Sequence, residues 1–263
     1  MFVAVLAKVS QMNEGAPKLP ILLRKLVAAF LRYRCEPELL LANDHFDGQR
    51  VMLVGPARTV HEDISSLDPR SYDLIIRMNN GLGIRLDALG RDALRCDVLF
   101  HSLSSDTRPL SQEMLDRCGV ALIVHRTPTK TSIIQTVAAR RRFGPDIRVR
   151  CLPFRRYRAL AKQLGGKSPT TGLVATDFLS DCNLAELTVV GFTFFETAYC
   201  AGYDDRVSCD EEARKRIVAK AHHDPSREIG IFAERLRRLQ AKGTPVRVGR
   251  GVGASLERAD ELL

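Results

Sequence analysis

From Arg50 to Val248 the chain repeats one pattern: a short run of aliphatic, mostly β-branched residues, then a longer stretch in which apolar residues recur at helical spacing. The runs are hydrophobic almost without a break. A strand with one wet face alternates instead, so the pattern predicts strands covered on both faces, as in a parallel sheet with crossover helices. The strands fall at Val51 to Val54, Leu74 to Met78, Val98 to His101, Ala121 to His125, Ile147 to Leu152, Leu187 to Gly191 and Val246 to Val248. Helices are predicted at Thr171 to Asp181, Glu211 to His222 and Pro225 to Lys242, the last stopped by Gly243. The expected fold is α/β: a single Rossmann-like domain with a mostly parallel sheet of about seven strands. Residues 1–44 read as an N-terminal helical appendage and 45–263 as the domain that carries the chemistry.

A chain of 263 residues with 45% apolar content can bury one substantial core. Its net charge of +9 suits an anionic partner. The basic residues are scattered, apart from knots at Arg140, Arg141 and Arg142 and at Arg155, Arg156 and Arg158. With no tryptophan and few interleaved aromatics, the stacking platforms of single-strand binders are missing, and no nucleic-acid partner is expected. Seven widely spaced cysteines without a C-x-x-C pair point to a reducing compartment, buried thiols and no structural metal. The apolar opening from Phe2 to Val9 is short and interrupted by Lys8, unlike a secretory signal. Leu19 to Leu31, broken by Arg24 and Lys25 and flanked by Arg32 and Arg34, is too short and too charged to span a bilayer. It reads either as an amphipathic helix on an anionic membrane surface or as a helix packed on the protein's own core.

In open parallel sheets, ligands bind beyond the carboxyl ends of the strands. Three predicted strand ends stand out. Val54 runs straight into Gly55 and Pro56, a turn where a phosphate or another backbone can approach closely, although it is not the G-x-G-x-x-G of dinucleotide sites. Arg77, Met78, Asn79, Asn80 and Gly81 bring an arginine and two amides to one edge, either as a turn or as a ligand contact. Ser168, Pro169, Thr170, Thr171 and Gly172 open a helix with hydroxyls and free amides, either an anion cradle or an ordinary cap. Further on, His222 and His223 precede a helix capped by Asp224, started by Pro225 and carrying Glu228 one turn in. Either the positive end of that helix disfavours an imidazolium and leaves a neutral ring able to accept a proton, or the pair decorates the loop before an ordinary Asp-Pro helix start.

The order of these segments resembles the family-29 sialyltransferases. The family's large motif is similar to Val51 to Gly55 and Arg77, Met78, Asn79; its small motif, "P-T-T-G-L" with a later cysteine and "G-F", to Pro169 to Leu173, Cys182, Gly191 and Phe192; its very small motif to His223 and Glu228 with four residues between. The resemblance spans Arg50 to Glu228. It implies metal-independent, cofactor-free, inverting transfer of a sialic acid from its CMP conjugate to a glycan hydroxyl, with 45–263 as a glycosyltransferase domain of the variant GT-A-like form. It further implies that His223 is the general base assisted by Glu228, with Gly55, Pro56, Asn79, Thr170, Thr171, Gly172 and Tyr203 around the nucleotide.

The sequence departs from the family at three points. Pro56 replaces an asparagine of the nucleotide site. Val51 replaces the cysteine that pairs with the small-motif one, so Cys182 has no partner there. The aromatic motif before the very small motif is reduced to Tyr203 and Asp204. These departures keep open an alternative, a catalytically inactive CMP-binding protein. The lack of anchor and cystine logic suggests a cytoplasmic bacterial relative, peripheral at most on the inner face of the inner membrane. For such an enzyme the donor is a CMP-activated ulosonic acid, sialic acid or Kdo, and the acceptor a glycan of a surface polysaccharide, lipid-linked in the fullest form of the reading.

Overall fold

The computed structural model describes residues 20–105, 107–204, 207, 209–213, 215 and 222–260. Seven strands form one sheet: β1 (Arg50–Val54), β2 (Leu74–Met78), β3 (Val98–His101), β4 (Leu122–His125), β5 (Arg148–Cys151), β6 (Glu186–Val190) and β7 (Val246–Val248). Their order is β5-β4-β3-β2-β1-β6-β7, and every pairing is parallel. Each predicted strand is present. The strand residues of β3, β4 and β6 are buried at every position, as continuous hydrophobic runs require of strands covered on both faces.

The helices in chain order are α1 (Ile21–Leu39), α2 (Val60–Ile64), α3 (Gln112–Cys118), α4 (Ile133–Arg142), α5 (Phe154–Gln163), α6 (Thr171–Leu179), α7 (Pro225–Ala241) and α8 (Arg250–Asp260). Of the expected helix Glu211 to His222, residues 214 and 216–221 lie outside the described residues, while 210–213 and 215 are helical. One face of the sheet packs on α6 and α7 through Val51, Leu53, Ile76, Phe100, Val174, Phe178, Phe232 and Leu236. The opposite face packs through Leu99, Ile123 and Val149 against Leu115, Ala139 and Phe143 of the α3–α4 side. Helix α1 lies at the β5 side, with Val27, Ala28, Leu31 and Leu39 buried against Ile133, Ile134, Val137 and Cys151. No helix among the described residues is long and apolar enough to cross a membrane.

Strand order reverses between β1 and β6, so the crossovers leave those two strands on opposite sides and open a crevice at their carboxyl ends. There the backbones nearly touch. A Cβ on Gly55 would stand 2.2 Å from the Gly191 carbonyl oxygen, and Gly191 itself holds a left-handed φ of 70°. The sequence marked Gly55 as a place where a phosphate or another backbone can approach; in the fold, the Gly191 backbone is the one that does.

Candidate functional site

A cavity of about 440 Å³ opens at this switch point. The ends of β1, β2, β3, β4 and β6 supply its floor, the start of α6 and the approach to α7 its walls; Pro56, Asn79, Ser102, Arg126, Thr170, Thr171 and Gly172 line it alongside Tyr203, His222, His223 and Glu228. Of the residues that the resemblance assigned to the base and the nucleotide, all but Gly55 border this one cavity. Among the described residues, five non-glycine residues have left-handed φ: Asn79, Leu103, Thr127, Phe194 and Phe195. All follow the carboxyl ends of strands β2, β3, β4 and β6. Such conformations cost about 1–3 kcal/mol each and persist where the surroundings over-determine them, most often at functional sites.

The start of α6 is built in layers. Thr170 caps the helix, its hydroxyl accepting from the Leu173 amide at 3.1 Å and donating to Glu228 Oε2 at 2.6 Å, while its own amide donates to Glu228 Oε1 at 3.0 Å. The amides of Thr171 and Gly172 precede the first intrahelical bond, which runs from Val174 to the Thr170 carbonyl, and they remain as positively polarised donors at the cavity wall. A side chain on Gly172 would press on the Phe192 ring at 2.5 Å, so this glycine serves tight packing at the cavity edge. Asn79 ties the strand ends together: its Nδ2 donates to the Thr171 hydroxyl at 3.0 Å and its Oδ1 accepts from the Ser102 amide at 3.0 Å. Asn80 in turn accepts from the Arg108 amide and donates to the Tyr203 carbonyl, anchoring the loop that presents Tyr203. Desolvation raises the Tyr203 phenol, which stays neutral at working pH.

Arg77, the arginine of the second strand end, faces away from the cavity. It is 1% exposed and gives its guanidinium to the backbone carbonyls of Gly81, Ile84, Ala93 and Arg95, which fixes the segment after β2.

His223 lines the same cavity as the start of α6. Its Nδ1 lies 2.6 Å from the Ser168 carbonyl oxygen. A carbonyl only accepts, so Nδ1 carries a proton, and in the neutral ring the lone pair is on Nε2. Glu228 is buried, and its Oε1 is 3.6 Å from His223 Nδ1, beyond a hydrogen bond. The orienting contact on the ring is therefore the Ser168 carbonyl, while Glu228 binds the cap of α6 and supplies negative charge beside the imidazole. Phe195 stacks on the His223 ring at 6.1 Å and 18°. His222 is exposed, and its carbonyl accepts from the Ser168 amide, which ties the segment before α7 to the segment before α6.

Sequence reading missed Arg126, Ser102, Phe194 and Phe195. Each follows or closes a strand without a recognisable motif; only the rule that chemistry collects at strand ends could have marked them. Among the described residues, no three His, Cys, Asp or Glu side chains gather as a metal site.

No protein-family model matches the sequence, and no curated protein matches it. Solved structures do match. A mammalian sialyltransferase superposes with a TM-score of 0.54 at 14% identity, covering 93% of this chain and 84% of that one. A mammalian sialyltransferase in complex with Gal-beta-1-3GalNAc-ortho-nitrophenol gives 0.50 at 15% identity, covering 94% and 86%. At these identities the likeness is one of fold: the parallel seven-stranded α/β arrangement is shared along nearly the whole chain.

Proposed function

We propose that the protein is an inverting, metal-independent glycosyltransferase that moves an ulosonic acid, sialic acid or Kdo, from its CMP conjugate to a glycan hydroxyl. One observation carries this reading. A histidine locked as the Nδ1–H tautomer, with Nε2 free, shares a 440 Å³ cavity with the amino end of a helix whose first amides lack intrahelical acceptors. The order of the strand-end motifs and a fold shared with sialyltransferases, one of them holding a disaccharide glycoside, support it.

In this reading His223 Nε2 takes the proton from the acceptor hydroxyl as its oxygen bonds to the anomeric carbon. The bond from that carbon to the phosphate oxygen breaks on the opposite face, and CMP leaves with the electron pair. The Thr171 and Gly172 amides and the dipole of α6 meet the growing charge on the phosphate. Asn79 acts by holding Thr171 in place. Pro56 and Tyr203 flank the nucleotide, and Glu228 balances the imidazolium formed during transfer. Helix α1 adds a partner: exposed Leu22, Leu26, Ala29 and Tyr33 recur at helical spacing beside Arg24, Lys25 and Arg34. This stripe fits an anionic membrane surface, and with it a lipid-linked acceptor.

The test is a CMP-release screen of CMP-sialic acid and CMP-Kdo with glycan acceptors, run on the wild type and on His223→Ala. Turnover on one donor, falling about 10²–10⁴-fold in the variant while CMP affinity holds within a few-fold, is the expected result. Wild type that binds CMP yet releases none from either donor would instead leave a nucleotide-binding protein without transfer chemistry.

A further inference from the structure

Arg126 follows the last residue of β4, between buried His125 and Thr127, which is itself buried and held at φ 51° with its hydroxyl donating to the His125 carbonyl at 3.0 Å. A β-branched residue rarely takes that conformation, and here it turns the chain so that Arg126 reaches into the cavity. The guanidinium lies over the Tyr157 ring at 5.6 Å, and its Nη1 donates to the Pro169 carbonyl at 3.1 Å, one residue before the cap of α6. Its Nε is buried without an acceptor, and no carboxylate lies within ion-pairing distance of it among the described residues. The carboxylate nearest in role, Glu228, is held by Thr170. Among the described residues that line the cavity, Arg126 is the only arginine or lysine, and it stands beside the start of α6.

The cavity therefore offers two adjacent sites for negative charge of different kinds: backbone amides with a helix dipole, suited to a phosphate, and a planar guanidinium, suited to a carboxylate. An ulosonic acid activated at its anomeric carbon needs such a pair. Its carboxylate is bonded to the same carbon that carries the phosphate ester, so the two anions enter side by side. An aldose bound to a nucleotide has no carboxylate at that carbon. Building on the function proposed above, we infer that Arg126 binds the donor's anomeric carboxylate and selects 2-ulosonates over other activated sugars. Tyr157 and Pro169 fix the plane of the guanidinium, and the unpaired charge favours an anionic substrate before any partner side chain competes.

Direct binding separates this assignment from its rivals. Affinities of CMP and of the intact CMP-ulosonate are measured by calorimetry for wild type, Arg126→Met and Arg126→Lys, with KM and kcat for the donor that turns over. The expected pattern is CMP unchanged within about three-fold in both variants. Donor affinity falls about 30-fold or more in Arg126→Met, with a smaller loss in Arg126→Lys, as for a charge pair cut off from water. Retained CMP binding shows that the variants are folded. Equal weakening of CMP and donor would assign Arg126 to the phosphate and overturn the inference, as would donor affinity unmoved in both variants. A wild type that binds CMP but no CMP-ulosonate, and releases CMP from none, would overturn the function proposed above and the inference with it. An active wild type with equal losses sinks the inference alone.

Discussion

The role proposed for His223 asks that its other nitrogen be held, and the partner there is the Ser168 backbone carbonyl, which accepts the hydrogen bond from Nδ1 and leaves Nε2 to face the cavity side. The sequence placed the base by its distance from a glutamate. The geometry gives the orienting contact to Ser168, which no side-chain motif could have revealed. Two other histidines show the opposite use of burial. His101 and His125 pair in register at the ends of β3 and β4, each with a buried Nε2 that lacks a hydrogen-bond partner, and His125 shares a hydrogen bond with the Thr136 hydroxyl at 2.8 Å. Burial first, and then the charge of Arg126 at His101 and of His101 and Arg126 at His125, pushes the rings down to about 4 and about 3. Both are neutral in the folded state at pH 6, whereas in the unfolded chain they begin to protonate near their ordinary value of about 6.5. The unfolded state then binds more protons, so stability falls as the pH drops from about 6.5 towards 4, by as much as about 1.4 kcal/mol per pH unit for each histidine. Urea unfolding at pH 7 and pH 5 should show this loss in the wild type and a smaller one in His125→Gln. An unchanged pH dependence in the variant would show that other groups set it.

At the level of elements, α6 and α7 lie side by side with a constant offset. Thr170 meets Glu228, and seven residues further along each helix Asp177 meets Arg235 at 2.7 Å. Both contacts join residues 58 apart in sequence, so the helices run parallel over two turns, about 10 Å. Arg156 of α5 donates to Asp177 at 2.7 Å and to Asp181 at 2.6 Å, and Arg238 reaches Asp181 at 2.8 Å. This cluster sets the separation of the helices whose amino ends form the cavity wall. Arg235→Met removes one partner of a buried carboxylate and should lower unfolding free energy by about 3 kcal/mol in urea titrations. If the cluster also sets the Thr170–Glu228 contact, donor KM rises more than kcat falls; a stability loss with unaltered KM would confine it to the fold. The strands were readable to within a residue or two because continuous hydrophobicity is a local property of the chain. The helix caps at Thr170 and Asp224 were readable for the same reason. A pairing between residues 58 apart, or an arginine such as Arg126 at the end of an unremarkable strand, depends on which crossovers lie next to one another, and no local pattern encodes that.

Across the whole molecule, the cavity lies at the carboxyl edge of the sheet where β1 and β6 part, while α1 covers the α4 side near β5 and turns a different character outward. The inward residues Val27, Ala28, Leu31 and Leu39 account for its packing. They do not account for Ile21 at 76%, Leu22 at 71%, Leu26 at 57% and Tyr33 at 84% exposure, an apolar stripe that burial against the domain leaves open. Up to Tyr33 the helix carries Arg24, Lys25 and Arg32 and no acidic residue. Apolar residues with basic neighbours bind an anionic lipid surface through both terms, each basic residue near the surface contributing about 1 kcal/mol, or about five-fold. The full-length protein should therefore sediment with vesicles containing anionic lipid and much less with neutral ones. Leu22→Glu with Leu26→Glu should abolish that binding, and Arg24→Gln with Lys25→Gln should weaken it by about twenty-five-fold, while CMP release with a soluble acceptor stays at the wild-type rate. Since none of these residues borders the cavity, a matching loss of soluble-acceptor activity would mean that the helix supports the fold rather than the membrane. Equal sedimentation with neutral and anionic vesicles, or none with either, would remove the membrane from the account and leave the positive charge to the substrates alone.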